Sequence, residues 1–480
     1  ENEQSGRADE QSRPQSRAAQ KRHPVAQVRE VRSCFLSKSS LLTMSNGSSR
    51  VNKLVGHLST GSGAAFRGVE AQQTGNQAAA FGKVGVKSDD DVVVVSALRT
   101  PIARARKGGF KNTTPDDLLK AVLEGVLAQS KIDPKIIDDV VVGNVQTPGA
   151  YSMPSRAAMF RAGIPETASV RSVNRQCSSG LQAVASIAAD ISSGFIDVGI
   201  GAGVESMTHG GNPGDPSSMP PMNLNEIFSD PGAAACLTPM GMTSENVAAK
   251  FGITRTEQDE LAVASHTKAL AAQAAGKFDA EIIPVKVTVE DKDGNEQEVT
   301  ISKDEGPRAG TTLEGLAKLK GAFKKDGSTT AGNASQVSDG AAAVLLMKRS
   351  KAKELGLPVY GTFRGFKVMG CDPNIMGIGP AVAIPALLKD TNTSVGDVDV
   401  YEINEAFASQ ATYCIKDLKI PMSKINPNGG AISLGHPLGC TGARMTATLL
   451  SELKREKKKL GVVSMCIGTG MGAAALYESE

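Results

Sequence analysis

The feature that most constrains the fold is an alternating strand–helix pattern written twice. Asp139-Val140-Val141-Val142-Gly143-Asn144 is echoed by Asp399-Val400-Tyr401-Glu402-Ile403-Asn404, and a helix closing on Ile164-Pro165 by one closing on Ile420-Pro421. The strand around Gly199 is echoed by Gly461-Val462-Val463-Ser464-Met465-Cys466. Strands alternating with helices indicate an α/β sheet; the repetition predicts two similar halves about an approximate two-fold axis, equivalent turns facing each other. The β-branched run Val92-Val93-Val94-Val95 suits a strand buried on both faces. Helices are predicted over 116–127 and 155–162, strands over 139–142 and 196–201. From about 207 to 333 the alternation loosens, with a glycine- and proline-rich stretch at 210–216 and a long helix over 257–275, and it reads as an excursion inserted in the first half. The divisions are therefore 1–87, a presequence; 88–350, the first half, with the excursion at 207–333; and 351–480, the second half.

Chemistry concentrates at the turns. In Ser172-Val173-Asn174-Arg175-Gln176-Cys177-Ser178-Ser179-Gly180, an alternating strand gives way to helical spacing at Leu181, Val184, Ala185, Ala188 and Ile191. Cys177 is thus placed at a helix start, where free N–H groups and the helix dipole are expected to favour a thiolate. In Gly435-His436-Pro437-Leu438-Gly439, proline keeps His436 out of helical geometry, and the glycines leave room for a ligand. Cys466 ends a strand and enters Gly468-Thr469-Gly470-Met471-Gly472. That run lacks the dinucleotide-binding spacing, and amides exposed in such a turn are suited to an oxyanion. Asn404, in Asn404-Glu405-Ala406-Phe407-Ala408, could position water or cap a helix.

Composition removes several classes. A net charge of +3, with basic residues scattered, argues against nucleic-acid binding dominated by phosphate contacts. No apolar run is long enough to span a bilayer. Seven cysteines without C-x-x-C pairs or metal-ligand spacing fit free thiols in a reducing compartment, and no metal site is expected.

Residues 1–87 are rich in Gln, Ser, Arg, Gly and Ala and lack apolar periodicity, as in disordered or processed sequence. Within them Arg50-Val51-Asn52-Lys53-Leu54-Val55-Gly56-His57-Leu58 resembles the N-terminal peroxisomal targeting nonapeptide, its Arg50, Val51, Leu54, His57 and Leu58 recurring at helical steps. An import receptor is the partner this implies. Acidic residues such as Glu1, Glu3, Asp9, Glu10 and Glu30 weigh against an organellar transit peptide. Met44, six residues before Arg50, suggests a native start there with 1–43 upstream; N-terminal sequencing of the mature protein tests this.

Four stretches in this order, 174–183, 404–408, 428–442 and 466–472, resemble the signature motifs of the thiolases, and the match runs from about Val92 to Glu478. The resemblance implies a five-layered αβαβα fold of two similar halves with a loop domain inserted in the first. It also implies roles: Cys177 as acylated nucleophile, His436 as its base, Cys466 as acid–base at the α-carbon. The amides of Cys177 and Gly468 would form one oxyanion hole, and His436 with a water held by Asn404 the other. Ser335 would contact the pantetheine arm of coenzyme A, and Met240 and Met376 would line the acyl pocket. Coenzyme A is implied as co-substrate, with no permanently bound cofactor, and the chain as a homodimer.

Within the family, Pro239 in Thr238-Pro239-Met240 stands where acetoacetyl-specific biosynthetic members usually carry histidine, which favours a degradative 3-ketoacyl-CoA thiolase of the plant and green-algal peroxisomal kind. The alternatives are a biosynthetic acetoacetyl-CoA thiolase and a non-catalytic acyl-CoA or lipid carrier. Cys236, close before Met240, is a candidate for a reversible disulfide with Cys177.

Overall fold

The computed structural model describes residues 80–210, 221–290 and 295–480. The nonapeptide at 50–58, Met44 and part of the charged turn after Glu290 lie outside the described residues. Residues 80–87, expected within the presequence, lie on the folded body: Phe81 packs edge-on against Phe363 at 4.9 Å, and its carbonyl accepts from Arg364 Nη1 at 3.1 Å. An aromatic side chain removed from water offsets the ordering of this short arm.

The strands are β1 (Val92–Arg99), β2 (Ala103–Arg104), β3 (Asp139–Gly143), β4 (Ser169–Val173), β5 (Val198–Ser206), β6 (Val285–Glu290), β7 (Glu296–Ile301), β8 (Ser338–Lys348), β9 (Gly361–Gly370), β10 (Val400–Ile403), β11 (Leu460–Ile467) and β12 (Met471–Ser479). The longer helices are α1 (Pro115–Ser130), α2 (Ser152–Arg161), α3 (Ser179–Ser192), α4 (Met240–Phe251), α5 (Arg255–Ala274), α6 (Gly379–Asp390), α7 (Ala408–Asp417) and α8 (Leu438–Arg455). The main sheet runs β4-β3-β5-β8-β1-β9-β12-β11-β10, with β2 on β8.

Read outward from the β1–β9 pair, this order is the same in both directions. β8 and β12 follow antiparallel, then β5 and β11 antiparallel to those, then β3 and β10 parallel to β5 and β11. β4 lies parallel beyond β3, and a single Tyr401–Ile425 parallel bridge occupies its place beyond β10. The sequence echo is confirmed but shifted by one residue. Asp399 corresponds to Asp138, since each carboxylate accepts two N–H groups where the next strand begins, Asp197 and Val198 in one half, Lys459 and Leu460 in the other. Backbone anchoring defines the equivalence, and identical letters one place along mislead.

Three apolar cores resolve the layers. α3 and α8 pack together between the two half-sheets, with Leu181, Val184, Ile187 and Ile191 meeting Ala443, Leu449, Leu450 and Leu453. α1 and α2 cover the outer face of the first half-sheet, α6 and α7 that of the second. The arrangement is five-layered αβαβα. α4, α5 and the β6–β7 hairpin come from the excursion between β5 and β8; α5 starts at a capping box in which Thr254 and Glu257 satisfy each other's amides.

Candidate active site

Four turns at the ends of these strands carry the reactive groups. After β4, Asn174 Oδ1 accepts from the Gln176 amide at 3.0 Å and its Nδ2 donates to Val145 O at 3.0 Å. Ser179 Oγ accepts from the Arg175 amide at 2.9 Å and donates to Gln176 O at 2.6 Å. These bonds hold Gln176 at φ +47° and set Cys177 two residues before α3. Cys177 is partly buried, and the Gly468 amide donates to its sulfur.

The expectation that the helix start favours a thiolate is not met. Burial outweighs the amide bonds and pushes the thiol up to about 11, with the Glu205 carboxylate adding to the rise. α3 begins beyond the cysteine, so desolvation dominates and the resting group is a thiol.

In the second turn Gly435 takes φ +109°, and the His436 amide donates to Gln336 O at 3.1 Å. His436 Nδ1 lies 2.7 Å from Thr441 Oγ1, whose hydroxyl donates to Pro437 O at 2.9 Å. A hydroxyl has one proton, so Nδ1 carries the hydrogen and Nε2 presents its lone pair. Burial, aided by the Arg444 charge, lowers the imidazole to about 3 and keeps it neutral.

Asn404 follows β10 directly, its amide donating to Ser464 O at 2.9 Å. Its Nδ2 is 3.2 Å from His436 Nε2, and its buried Oδ1 has no hydrogen-bond partner among the described residues. Cys466 is fully buried near the end of β11, packed with Met376 and Ala406; burial, with the nearby Cys177 next, raises its thiol well above the ordinary range. Beyond it Thr469 and Gly470 turn at φ +68° and +89°.

The other expected residues gather at the same place. Met240 begins α4 with its sulfur 3.7 Å from where a Gly468 Cβ would stand. The Ser335 amide donates to Ala406 O at 3.0 Å, which lays the 333–335 segment against 406–408 beside Asn404. Cys236 Sγ is 3.9 Å from Thr469 O; it and Cys177 are free thiols here. Among the described residues no group of three or more His, Cys, Asp or Glu side chains stands ready to hold a metal ion.

Sequence reasoning assigned no role to Thr441, which sets the imidazole tautomer, or to Glu205. Thr441 lies five residues after His436, and Glu205 is the single charged residue in the strand Val198–Ser206; both were visible signals.

Fold and site together describe a cysteine-containing α/β acyltransferase. Residues 92–350 match the family model of the thiolase N-terminal domain and 357–479 that of the thiolase C-terminal domain. The chain belongs to the thiolase family. It is 59% identical over 394 residues to peroxisomal 3-ketoacyl-CoA thiolase A of Mus musculus, covering 82% of this chain and 91% of that protein. It is 58% identical over 393 residues to peroxisomal 3-ketoacyl-CoA thiolase 2 of Arabidopsis thaliana, covering 81% and 84%. The crystal structure of the dimeric peroxisomal thiolase of Saccharomyces cerevisiae superposes with a TM-score of 0.77 at 48% identity, covering 82% of this chain and 99% of that one.

Proposed function

We propose that this protein is a degradative 3-ketoacyl-CoA thiolase of peroxisomal β-oxidation, cleaving 3-ketoacyl-CoA with coenzyme A to acetyl-CoA and a shortened acyl-CoA. The observation that carries the reading is a Cys177 sulfur that accepts from the Gly468 amide, together with an imidazole held by Thr441 at Nδ1 so that its unprotonated Nε2 faces Asn404 Nδ2 at 3.2 Å. Cys177 loses its proton to His436 Nε2 and attacks the C3 ketone. The alkoxide is held by donors aimed at it. As the C2–C3 bond breaks, the acyl group stays on Cys177 and the acetyl-CoA enolate takes a proton from Cys466. The high thiol pKa of Cys466 suits an acid that stays protonated until a carbanion forms.

His436 then returns its proton to Cys466 and accepts that of the incoming coenzyme A thiol. Coenzyme A displaces Cys177, which recovers the proton. Once protonated, Nε2 is itself a donor, and with a water on Asn404 Oδ1 it forms a second oxyanion site; the amides of Cys177 and Gly468 form the other. Ser335 contacts the pantetheine arm, and Met240 and Met376 bound the acyl pocket.

The functional unit is a homodimer, like the yeast structure, and residues 50–58 are the address read by a peroxisomal import receptor. Thiolysis rates across 3-ketoacyl-CoA chain lengths, with Cys177→Ala as control, test the reading. Cleavage of medium and long chains, abolished by the substitution, is expected. Activity confined to acetoacetyl-CoA supports the biosynthetic alternative, and an inert wild type that still binds acyl-CoA supports a carrier.

A further inference from the structure

Glu205, the next-to-last residue of β5 in the first half, is buried and takes no part in the chemistry above. Its Oε2 accepts from the Val145 amide at 3.0 Å and the Gly439 amide at 2.9 Å. Its Oε1 accepts from Asn144 Nδ2 at 3.2 Å and the Gln146 amide at 3.2 Å. Three of these donors belong to the loop after β3, and the fourth belongs to the other half of the molecule. Gly439 is three residues past His436, at the start of α8. The β3 loop in turn holds the Cys177 turn, because Val145 O accepts from Asn174 Nδ2.

One carboxylate therefore connects the two turns that carry the thiol and the imidazole. The backbones around it approach as closely as glycine allows. A Cβ on Gly439 would stand 2.7 Å from both Gly143 O and Val204 O, and one on Gly180, next to the first residue of α3, 2.6 Å from Gly439 O. A Cβ on Gly203 would collide with Gly439 O. Such contact presses the His436 turn onto the first half but gives it no polar anchor; Glu205 supplies one, with its charge at the N-terminus of α8.

Building on the proposed roles of Cys177 and His436, we infer that Glu205 is a positioning residue of the thiolase reaction, its carboxylate bracing the nucleophile turn of one half against the base turn of the other. The groups that bear on it are Asp339, Cys177 and Cys440. Burial raises its carboxyl to about 7, against the pull of the amides, so at pH 8 it is mostly ionised and able to accept all four bonds.

Glu205→Gln keeps the shape and replaces an acceptor by a donor facing amides. Glu205→Asp keeps the charge and is too short to reach both turns. With 3-ketooctanoyl-CoA and coenzyme A at pH 8, each folded variant is expected to lose roughly 10- to 100-fold in kcat, the misplacement penalty for reacting groups, with little change in KM for the ketoacyl substrate. The pH profile of Cys177 alkylation by iodoacetamide gives a readout that destabilisation alone does not move. Its acid limb shifts to lower pH in Glu205→Gln, where a facing negative charge is lost, and stays in place in Glu205→Asp. A folded Glu205→Gln with wild-type kcat, or with its loss in KM rather than kcat, overturns the inference. If Glu205→Gln does not fold, wild-type kcat in Glu205→Asp overturns it. An inert wild type, or an active Cys177→Ser, instead overturns the functional reading, whatever the Glu205 variants do.

Discussion

Asn404 Nδ2 stands 3.2 Å from His436 Nε2, the ring held from behind at Nδ1 by Thr441 Oγ1 and the asparagine backbone held by Gln410 Nε2, which donates to the Asn404 carbonyl at 2.8 Å. The imidazole lone pair on Nε2 faces the asparagine amide, and the buried Asn404 Oδ1 beside it has no hydrogen-bond partner among the described residues.

Asn404→Ala removes both the contact to Nε2 and the place for a water. Thiolysis kcat should fall roughly 100- to 1000-fold, the cost of one oxyanion donor, without loss of folding. Steady-state kinetics beside a thermal melt check this; a variant within a few-fold of wild type would remove Asn404 from the mechanism.

Thr441→Val deletes the acceptor that holds the proton on Nδ1 and leaves a buried donor unpaired, a loss of about 1–3 kcal/mol. The expected result is a kcat drop of about tenfold or more with KM kept, restored largely by Thr441→Ser. Equal behaviour of the valine and serine variants would argue that the tautomer is set elsewhere.

Stability should depend on pH through His436. Its folded pKa, about 3, lies below the unfolded value of 6.5, so between these the unfolded chain takes up a proton that the folded protein refuses. The sign is loss of stability as pH falls: about 1.4 kcal/mol per pH unit well below 6.5, and no contribution above it. His266, lowered to about 4 by burial and then by Arg308, adds in the same direction. Urea unfolding at pH 7 and pH 5 should therefore show a smaller acid loss in His436→Asn than in wild type. Parallel curves would contradict the buried neutral imidazole.

Oxidation with diamide is expected to join Cys177 to Cys236 and stop turnover, with activity recovered on reduction. Peptide mapping by mass spectrometry reads the bond directly. Two free thiols in the inactivated protein would leave Cys236 a loop residue with no redox part.

Much of this arrangement is legible in the sequence. The β-branched run at 92–95, the helical spacing after Leu181 and the doubled pattern located the strands, the central helices and the two-fold relation, because each is a local consequence of which residues can be buried in a strand or helix. A strand-to-helix junction marked Cys177, and glycine-rich turns marked His436 and Cys466, since reactive side chains at strand ends need room that other residues would fill.

The chain's own order of residues determined two similar α/β halves, an excursion in the first, and which turns carry thiols, an imidazole and an amide. Tertiary structure alone decided their states. The helix start that should have ionised Cys177 was overridden by burial, which is a sum over neighbours from both halves and has no local signature. The tautomer of His436 depends on a single hydroxyl proton at Thr441, and the brace at Glu205 on an amide more than two hundred residues away in the chain. Protonation states and cross-half hydrogen bonds are properties of a packed interior, so they came into view only when the two halves were placed together.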